Sequence, residues 1–346
     1  MDKKPRVAVL ALGGTIAMVK GDEGGVRPGL GADDLVAAVP GIEAIADLRT
    51  ETVSRIGSSD LTVSTVLTVA RRIEALAAEG AIDGAVVTQG TDTMEETSFL
   101  LDLVLKVDIP VVMTGAMRNP LSVSHDGPGN VLAAVRVVAD PVARARAREL
   151  GVLVVMLDTI HAAVNVAKAT SSRIDAFTSP ETGPVGVLVE DRVRLTSMPN
   201  RDFRTALDAV TGGGPRMTGD IPSVALHTIA LSESGGLLGA LATAPDTLGY
   251  AGIVLGALGG GHVPEWLVER LETLAKRVPV VMAGRMQAGY LLAKTYERAG
   301  SEIDLINRGI VSAGRLPPLK ARLLLTVMLA AGLDSAARAQ IWSTVN

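Results

Sequence analysis

The sequence predicts an α/β protein. A larger N-terminal domain has a mostly parallel sheet with helices on both faces, and a smaller C-terminal α/β domain is of flavodoxin-like kind. Three observations predict it. Short apolar runs alternate with helical patterns, and strand–helix–strand repeats imply parallel pairing with right-handed crossovers. Four of these runs, all in the N-terminal third, end in clusters of Gly, Thr, Ser and Asp. The pattern then breaks at Thr211-Gly-Gly-Gly-Pro215, and a shorter α/β series follows.

The elements follow in order. Residues 7–12 form an apolar run that leads into Gly13-Gly14-Thr15. Residues 53–56 lead into Gly57-Ser58-Ser59-Asp60, 84–87 into Thr88-Gln89-Gly90-Thr91-Asp92-Thr93, and 111–113 into Thr114-Gly115-Ala116-Met117-Arg118. Residues 61–78 carry apolar positions at three- and four-residue spacing, with Asp60 as the expected N-cap. Helices are also expected over 97–105 and 131–138, and a fifth strand over 151–157. Residues 158–197 read as shorter extended pieces and turns, including a hairpin. The N-terminal domain is placed at 1–201, a linker at 202–222 and the C-terminal domain at 223–346. In the latter, strands are expected at 224–231, 252–258 and 278–283, with a helix at 265–276. A terminal helix at 320–331 opens after Leu316-Pro-Pro-Leu319, with proline in its favoured first turn.

Composition narrows the function classes. Of 346 residues, 48% are hydrophobic but only 2% aromatic, so the cores must be built from Ala, Val and Leu. Scarce aromatics argue against a base-stacking surface. A net charge of -4 and a pI near 5.7 argue against a phosphate-binding face. No nucleic-acid or membrane partner is expected. The absence of cysteine removes disulfides, thiolate nucleophiles and Cys-based zinc sites. The basic N-terminus is followed by a short apolar run that reads as a core strand, whereas a secretory signal needs roughly 7–15 apolar residues and a cleavage site. No stretch approaches the roughly 20 apolar residues of a membrane span. The expected location is cytoplasmic.

In an open parallel sheet the carboxyl ends of the strands share one rim, where small ligands bind. The four clusters would bring hydroxyls, a carboxylate and backbone N–H groups together there. Gly13-Gly14-Thr15 lacks the pattern of a phosphate loop or a dinucleotide site. It reads either as a tight turn with a helix-capping threonine or as a turn that presents a hydroxyl to a ligand. Asp92 with Glu95, and Thr93 with Glu96, both fit a capping box. A hydroxyl beside a carboxylate at a strand end also fits an activating pair. Threonine is a poor nucleophile that needs a base or a neighbouring cation. Lys168, in Asn165-Val-Ala-Lys168-Ala-Thr170, is a candidate for it. His125, His161, His227 and His262 show no metal-ligand spacing, and no metal is expected. No Gly-x-Ser-x-Gly elbow is present.

At these residues the chain resembles the bacterial-type L-asparaginase and glutaminase family. Leu12-Gly-Gly-Thr-Ile-Ala17 is similar to its first active-site signature, and Val86-Val-Thr-Gln-Gly-Thr-Asp-Thr-Met-Glu-Glu-Thr-Ser-Phe99 to its second. The resemblance continues through Pro110 to Arg118, Ser124-His-Asp-Gly-Pro128 and Asn130, and reaches Leu316 to Leu325. It implies an amidohydrolase that converts L-asparagine to L-aspartate and ammonia through a threonine nucleophile and an acyl-enzyme. It also implies no cofactor and a homodimer or homotetramer. The resemblance places the nucleophile at Thr15 and a second polar triad at Thr91, Asp92 and Lys168. Ser58 and Asp92 match positions that hold the amino acid's α-carboxylate and α-amino groups. Gly14, Gly57, Ser59, Gly90 and Ala116 line the same pocket by this carry-over. Which threonine attacks is open on sequence alone, with Thr15 preferred.

Three departures concern substrate choice more than reaction class. The lid after the first signature, Val19 to Pro28, lacks the family's tyrosine; Glu23 and Arg27 are the lid's candidate substitutes, with solvated loop charges the preferred reading of both. Gly260 stands where many relatives have an asparagine. The neighbouring-subunit glutamate of some relatives has Glu302 as its nearest candidate. Two other readings follow from these departures: a glutaminase or related amide hydrolase, and a catalytically weak amino-acid-binding homologue.

Overall fold

The computed structural model describes residues 3–217, 219–243 and 248–345. The chain divides into two compact units, Met1–Asn200 and Arg201–Asn346.

In the first unit, β1 (Arg6–Gly13) is followed by a small hairpin of β2 (Met18–Lys20) and β3 (Val26–Pro28). Next come β4 (Asp47–Ile56), β5 (Gly84–Thr88), β6 (Val111–Thr114), β7 (Val152–Met156) and β8 (Thr159–Ala162). Two short strands, β9 (Ala167–Lys168) and β10 (Phe177–Thr178), form a separate two-stranded sheet among the described residues. The antiparallel hairpin β11 (Gly186–Val189) and β12 (Arg192–Leu195) ends the unit.

Eight strands form one sheet in the order β12-β11-β8-β7-β6-β5-β1-β4. Its half around β1 is parallel, through β4–β1, β1–β5, β5–β6 and β6–β7. The apolar runs β5, β6 and β7 are buried throughout, as strands covered on both faces must be. Helix Gly127–Ala139 packs across β5, β6 and β7 so closely that a β-carbon on Gly84 would stand 2.3 Å from Val138 Cγ1. Helix Val63–Ala78 buries Val66, Ala70, Ile73 and Leu76 along one stripe. Its N-cap is Thr62, whose hydroxyl accepts from Thr65 N at 3.1 Å, and not Asp60. Asp60 instead closes a 3-10 turn, Ser58–Asp60, and the helix starts at Val63, two residues later than expected.

The parallel half positions the site. From β1 the chain goes to β4 on one side and then crosses back to β5 on the other. This is the strand order 2-1-3-4-5, whose reversal opens a crevice between the carboxyl ends of the first and third strands. Here those ends carry Gly13-Gly14-Thr15 and Gly90-Thr91-Asp92.

The second unit opens with helix Asp202–Thr211, inside the stretch read from sequence as a linker. It buries Phe203 and Leu207 and ends on Gly212 in the left-handed region. The strands β13 (Ser223–Thr228), β14 (Tyr250–Ala257), β15 (Val280–Gly284) and β16 (Val311–Ser312) form a parallel sheet in sequence order. Ile253, Leu255 and Ala257 join Leu238, Leu267 and Leu271 in one core. By strand alternation the opposite face meets helix Pro318–Ala330, whose Leu325 lies 3.1 Å from where a Gly252 β-carbon would be. A further helix, Ser335–Trp342, buries Ile341 and Trp342. Among the described residues no helix is long and apolar enough to cross a membrane.

Candidate active site

Gly13 and Gly14 leave β1 at φ 106° and 83°, in the left-handed region that favours glycine. The chain then enters a 3-10 turn, Thr15–Ala17, with Ala17 N donating to Gly14 O at 3.0 Å. Thr15 is half-buried, and its hydroxyl has no hydrogen-bond partner among the described residues. Glycine is also required by the neighbour across the crevice, because a β-carbon on Gly14 would stand 2.1 Å from Gly90 N. A β-carbon on Gly90 would meet Ser58 Oγ at 2.7 Å. The ends of β1, β4 and β5 are thus in backbone contact. Gly57 leads directly into the 3-10 turn that carries Ser58, while Ser59 beside it is exposed.

Ser58 is 4% exposed and bonds the third strand's turn twice. Its hydroxyl accepts from Asp92 N at 3.2 Å, and its carbonyl accepts from Thr93 Oγ1 at 2.9 Å. Gln89 Nε2 donates to the same Thr93 hydroxyl at 3.2 Å. The capping boxes read at 92–96 therefore do not form at Asp92 and Thr93. Thr93 is the N-cap of helix Met94–Val104 but makes no side-chain cap bond.

Lys168 arrives from β9. Its Nζ donates to Thr91 Oγ1 at 2.9 Å and to Asp92 Oδ1 at 2.6 Å. The lysine side chain is 13% exposed, whereas the Asp92 carboxylate is 70% exposed and free to meet a ligand. Thr91 is 5% exposed. Thr91 and Asp92 are thus joined in one hydrogen-bonded cluster with Lys168, which lies 77 and 76 residues away in sequence.

Ala116, fully buried, is held from β6 by residues whose role was not legible in sequence. Asp126 accepts from Met117 N at 3.0 Å and Arg118 N at 2.9 Å. Asn130 Nδ2 donates to Gly115 O and Asp126 Oδ2, both at 2.9 Å, and Asn130 Oδ1 accepts from Leu157 N at 2.9 Å. A β-carbon on Gly127 would lie 2.9 Å from Ile16 and 3.7 Å from Ala116 Cβ, which brings the fourth strand end beside the first. A cavity of about 50 Å³ lies behind Ile16, lined also by Leu30, Leu35, Arg118 and His125. A larger surface pocket of about 380 Å³, lined by Asp83, Asp108 and Arg144, opens at the opposite, amino-terminal end of the strands and contains none of these groups.

The lid is the β2–β3 hairpin, closed by Gly21 N donating to Gly25 O at 2.8 Å. Glu23 and Arg27 are exposed there and make no side-chain bond among the described residues, so neither touches Thr15.

In the second unit Gly260 packs against Leu292: a β-carbon there would stand 2.7 Å from Leu292 Cγ and Cδ1. Glu302 is fully buried, and it accepts from Thr295 N at 2.9 Å, Tyr296 N at 2.7 Å and the His262 ring at 3.2 Å. Burial works to raise its carboxyl, but the N–H groups of Tyr296 and Thr295 and the His262 ring outweigh it and hold the group below the usual carboxylate range. All three partners belong to Glu302's own unit. His161 is buried against Ser179 Oγ at 2.9 Å, and His227 faces Glu233 at 3.3 Å outside hydrogen-bond geometry. Among the described residues no three His, Cys, Asp or Glu side chains are grouped as metal ligands.

Comparison with known proteins covers the same residues. The profile of the asparaginase N-terminal domain matches residues 6–201, and that of the glutaminase/asparaginase C-terminal domain matches residues 231–341. An L-asparaginase 2 of Escherichia coli K12 is 35% identical over 98% of this chain and 93% of its own length. A glutaminase-asparaginase of Pseudomonas fluorescens is 32% identical over 96% of this chain and 88% of its own. The crystal structure of a probable cytoplasmic L-asparaginase from Campylobacter jejuni superposes with a TM-score of 0.82 at 33% identity, covering 98% of this chain and 99% of that one. With both profiles matched in order and the signature residues gathered at one rim, the chain belongs to the asparaginase and glutaminase family.

Proposed function

We propose that the protein hydrolyses the side-chain amide of L-asparagine to L-aspartate and ammonia. The observation that carries this is the Lys168–Thr91–Asp92 cluster, set at the switch point of the sheet whose other lip presents Thr15. A hydroxyl held by an amine and a carboxylate is what proton transfer to and from a threonine or a water requires.

The reaction runs in two acyl transfers. Thr15 Oγ1 attacks the carboxamide carbon and gives up its proton, backbone N–H groups of the two turns hold the oxyanion, and the C–N bond breaks to release ammonia. Water then attacks the ester carbon, the C–Oγ bond breaks, and aspartate leaves as Thr15 regains a proton. Lys168 and Asp92 manage protons around Thr91 in both steps. Ser58 and the exposed Asp92 carboxylate hold the α-carboxylate and α-amino groups, with Gly14, Gly57, Ser59, Gly90 and Ala116 lining the pocket.

Glutamine or a related amide is the second reading, favoured by the lid, which carries no tyrosine and turns its charges to solvent. Homodimer or homotetramer assembly and a cytoplasmic location belong to the same proposal. Ammonia release from L-asparagine, L-glutamine and simple amides tests the activity. Release from L-asparagine at the highest kcat/KM is expected. No release from any amide would overturn the proposal in favour of an amino-acid-binding role. Light scattering of the purified protein tests the assembly.

A further inference from the structure

We infer that Glu95 is a positioning residue for Lys168, fixing the lysine's main chain so that its amine lands on Thr91; this rests on the amidohydrolase reading above. Lys168 sits on β9, two residues long, which among the described residues pairs with β10 in a separate two-stranded sheet. A ribbon this short cannot fix a side chain to within the fraction of an ångström that proton transfer needs. Something else must hold it.

The Glu95 carboxylate does so. Its Oε2 accepts from Lys168 N at 2.7 Å, across 73 residues of sequence. Glu95 lies in the first turn of helix Met94–Val104, directly after the 3-10 turn that carries Thr91 and Asp92. One rigid segment therefore grips the lysine at both ends. Glu95 takes the main-chain N–H, while Thr91 and Asp92 take the amine at 2.9 and 2.6 Å.

The local alternative for Glu95 is closed off. In a capping box it would reach back to the N–H of Asp92. That N–H donates instead to Ser58 Oγ, which leaves the Glu95 oxygen for Lys168. The bond is charge-assisted and short, the kind that specifies geometry as well as adding stability.

The prediction separates the acceptor from the charge. Glu95→Gln keeps a side-chain oxygen for the Lys168 N–H and should stay within about threefold of wild-type kcat, whereas Glu95→Ala should lose roughly a hundredfold in kcat with KM for L-asparagine little changed. A readout that needs no turnover is the acylation rate of the Lys168 amine by an N-hydroxysuccinimide ester, followed by peptide mass spectrometry. It should rise several-fold in Glu95→Ala and stay at the wild-type level in Glu95→Gln. Hydrogen exchange at the Lys168 amide of the unmodified protein should be slow, and this holds even if Glu95→Ala fails to fold. If wild type releases no ammonia while the labelling pattern appears, the tether stands and the amidohydrolase reading fails. Wild-type kcat and labelling in Glu95→Ala, equal impairment in both variants, or fast exchange at Lys168 would each overturn the inference.

Discussion

Gly14 and Gly90 meet backbone to backbone, so closely that a single β-carbon on Gly14 would overlap Gly90 N at 2.1 Å. This contact joins the two signature segments and leaves Thr15 and Thr91 on facing lips of the crevice. Neither glycine can be replaced without separating the lips. Gly14→Ala would also place a side chain at φ 83°. It should cost about 3 kcal/mol or more in stability, the sum of left-handed strain and overpacking. Urea unfolding measures this, and the variant should show no amide hydrolysis at temperatures where it remains folded.

Ser58 ties its own turn to the turn of Thr91–Thr93 by two hydrogen bonds. Only one of them uses its side chain. Ser58→Ala therefore leaves the Asp92 N–H unpaired but keeps the Thr93 bond, and should cost about 1–3 kcal/mol in stability. KM for L-asparagine should rise by roughly ten- to a hundredfold, the equivalent of one lost hydrogen bond to a charged group. Thermal melts and steady-state kinetics check the two parts.

Asn130 is 2% exposed and satisfies Gly115 O, Asp126 Oδ2 and Leu157 N together. Asn130→Ala leaves Gly115 O and the Leu157 N–H without this partner and removes one of the bonds to Asp126, which keeps Met117 N; it should destabilise by roughly 2–4 kcal/mol. A rise in KM should accompany it, because the same bonds hold the loop of Ala116. Chemical denaturation and kinetics over a range of L-asparagine concentrations distinguish the stability loss from the change in binding.

At the other end of the sheet, Arg6 binds Asp83 through Nε at 3.0 Å and Nη2 at 2.9 Å, and its main-chain N–H donates to the same carboxylate at 2.8 Å. The Arg6 hydrogen bond holds the Asp83 carboxyl down to about 2. Because the folded value lies below the ordinary one, the contribution is fully present above about pH 4 and is lost as pH falls through about 2. Asp83→Asn should be less stable than wild type at pH 7, with the difference shrinking over that acid window. Denaturation curves from pH 7 to 2 test it.

The parallel strands and their functional tips were legible in the sequence because both signals are local. A buried run reads as a strand from its neighbours, and a Gly-Thr or Gly-Ser cluster marks its end. The misplaced features depend on distant partners. Asp60 has the chemistry of a cap, but its 3-10 turn passes the role to Thr62. Asp92 and Glu95 have capping-box spacing, yet Ser58 and Lys168 claim them across 34 and 73 residues. Helix Ser335–Trp342 was not anticipated, since a single stretch with Ile341 and Trp342 as its buried residues shows little periodicity. The lid has the reverse character: its missing tyrosine is plain in the sequence, and the exposed Glu23 and Arg27 show that the hairpin's own charges do not replace it.

In the proposed reaction Thr15 attacks the amide while Thr91 and Lys168 manage protons. The most direct measurement is ammonia release from L-asparagine by Thr15→Ala, with aspartate binding followed by calorimetry on the same sample. A loss of at least about a thousandfold in kcat is expected, as when a nucleophile is removed, with aspartate still bound. Turnover by Thr15→Ala at the wild-type rate would contradict it.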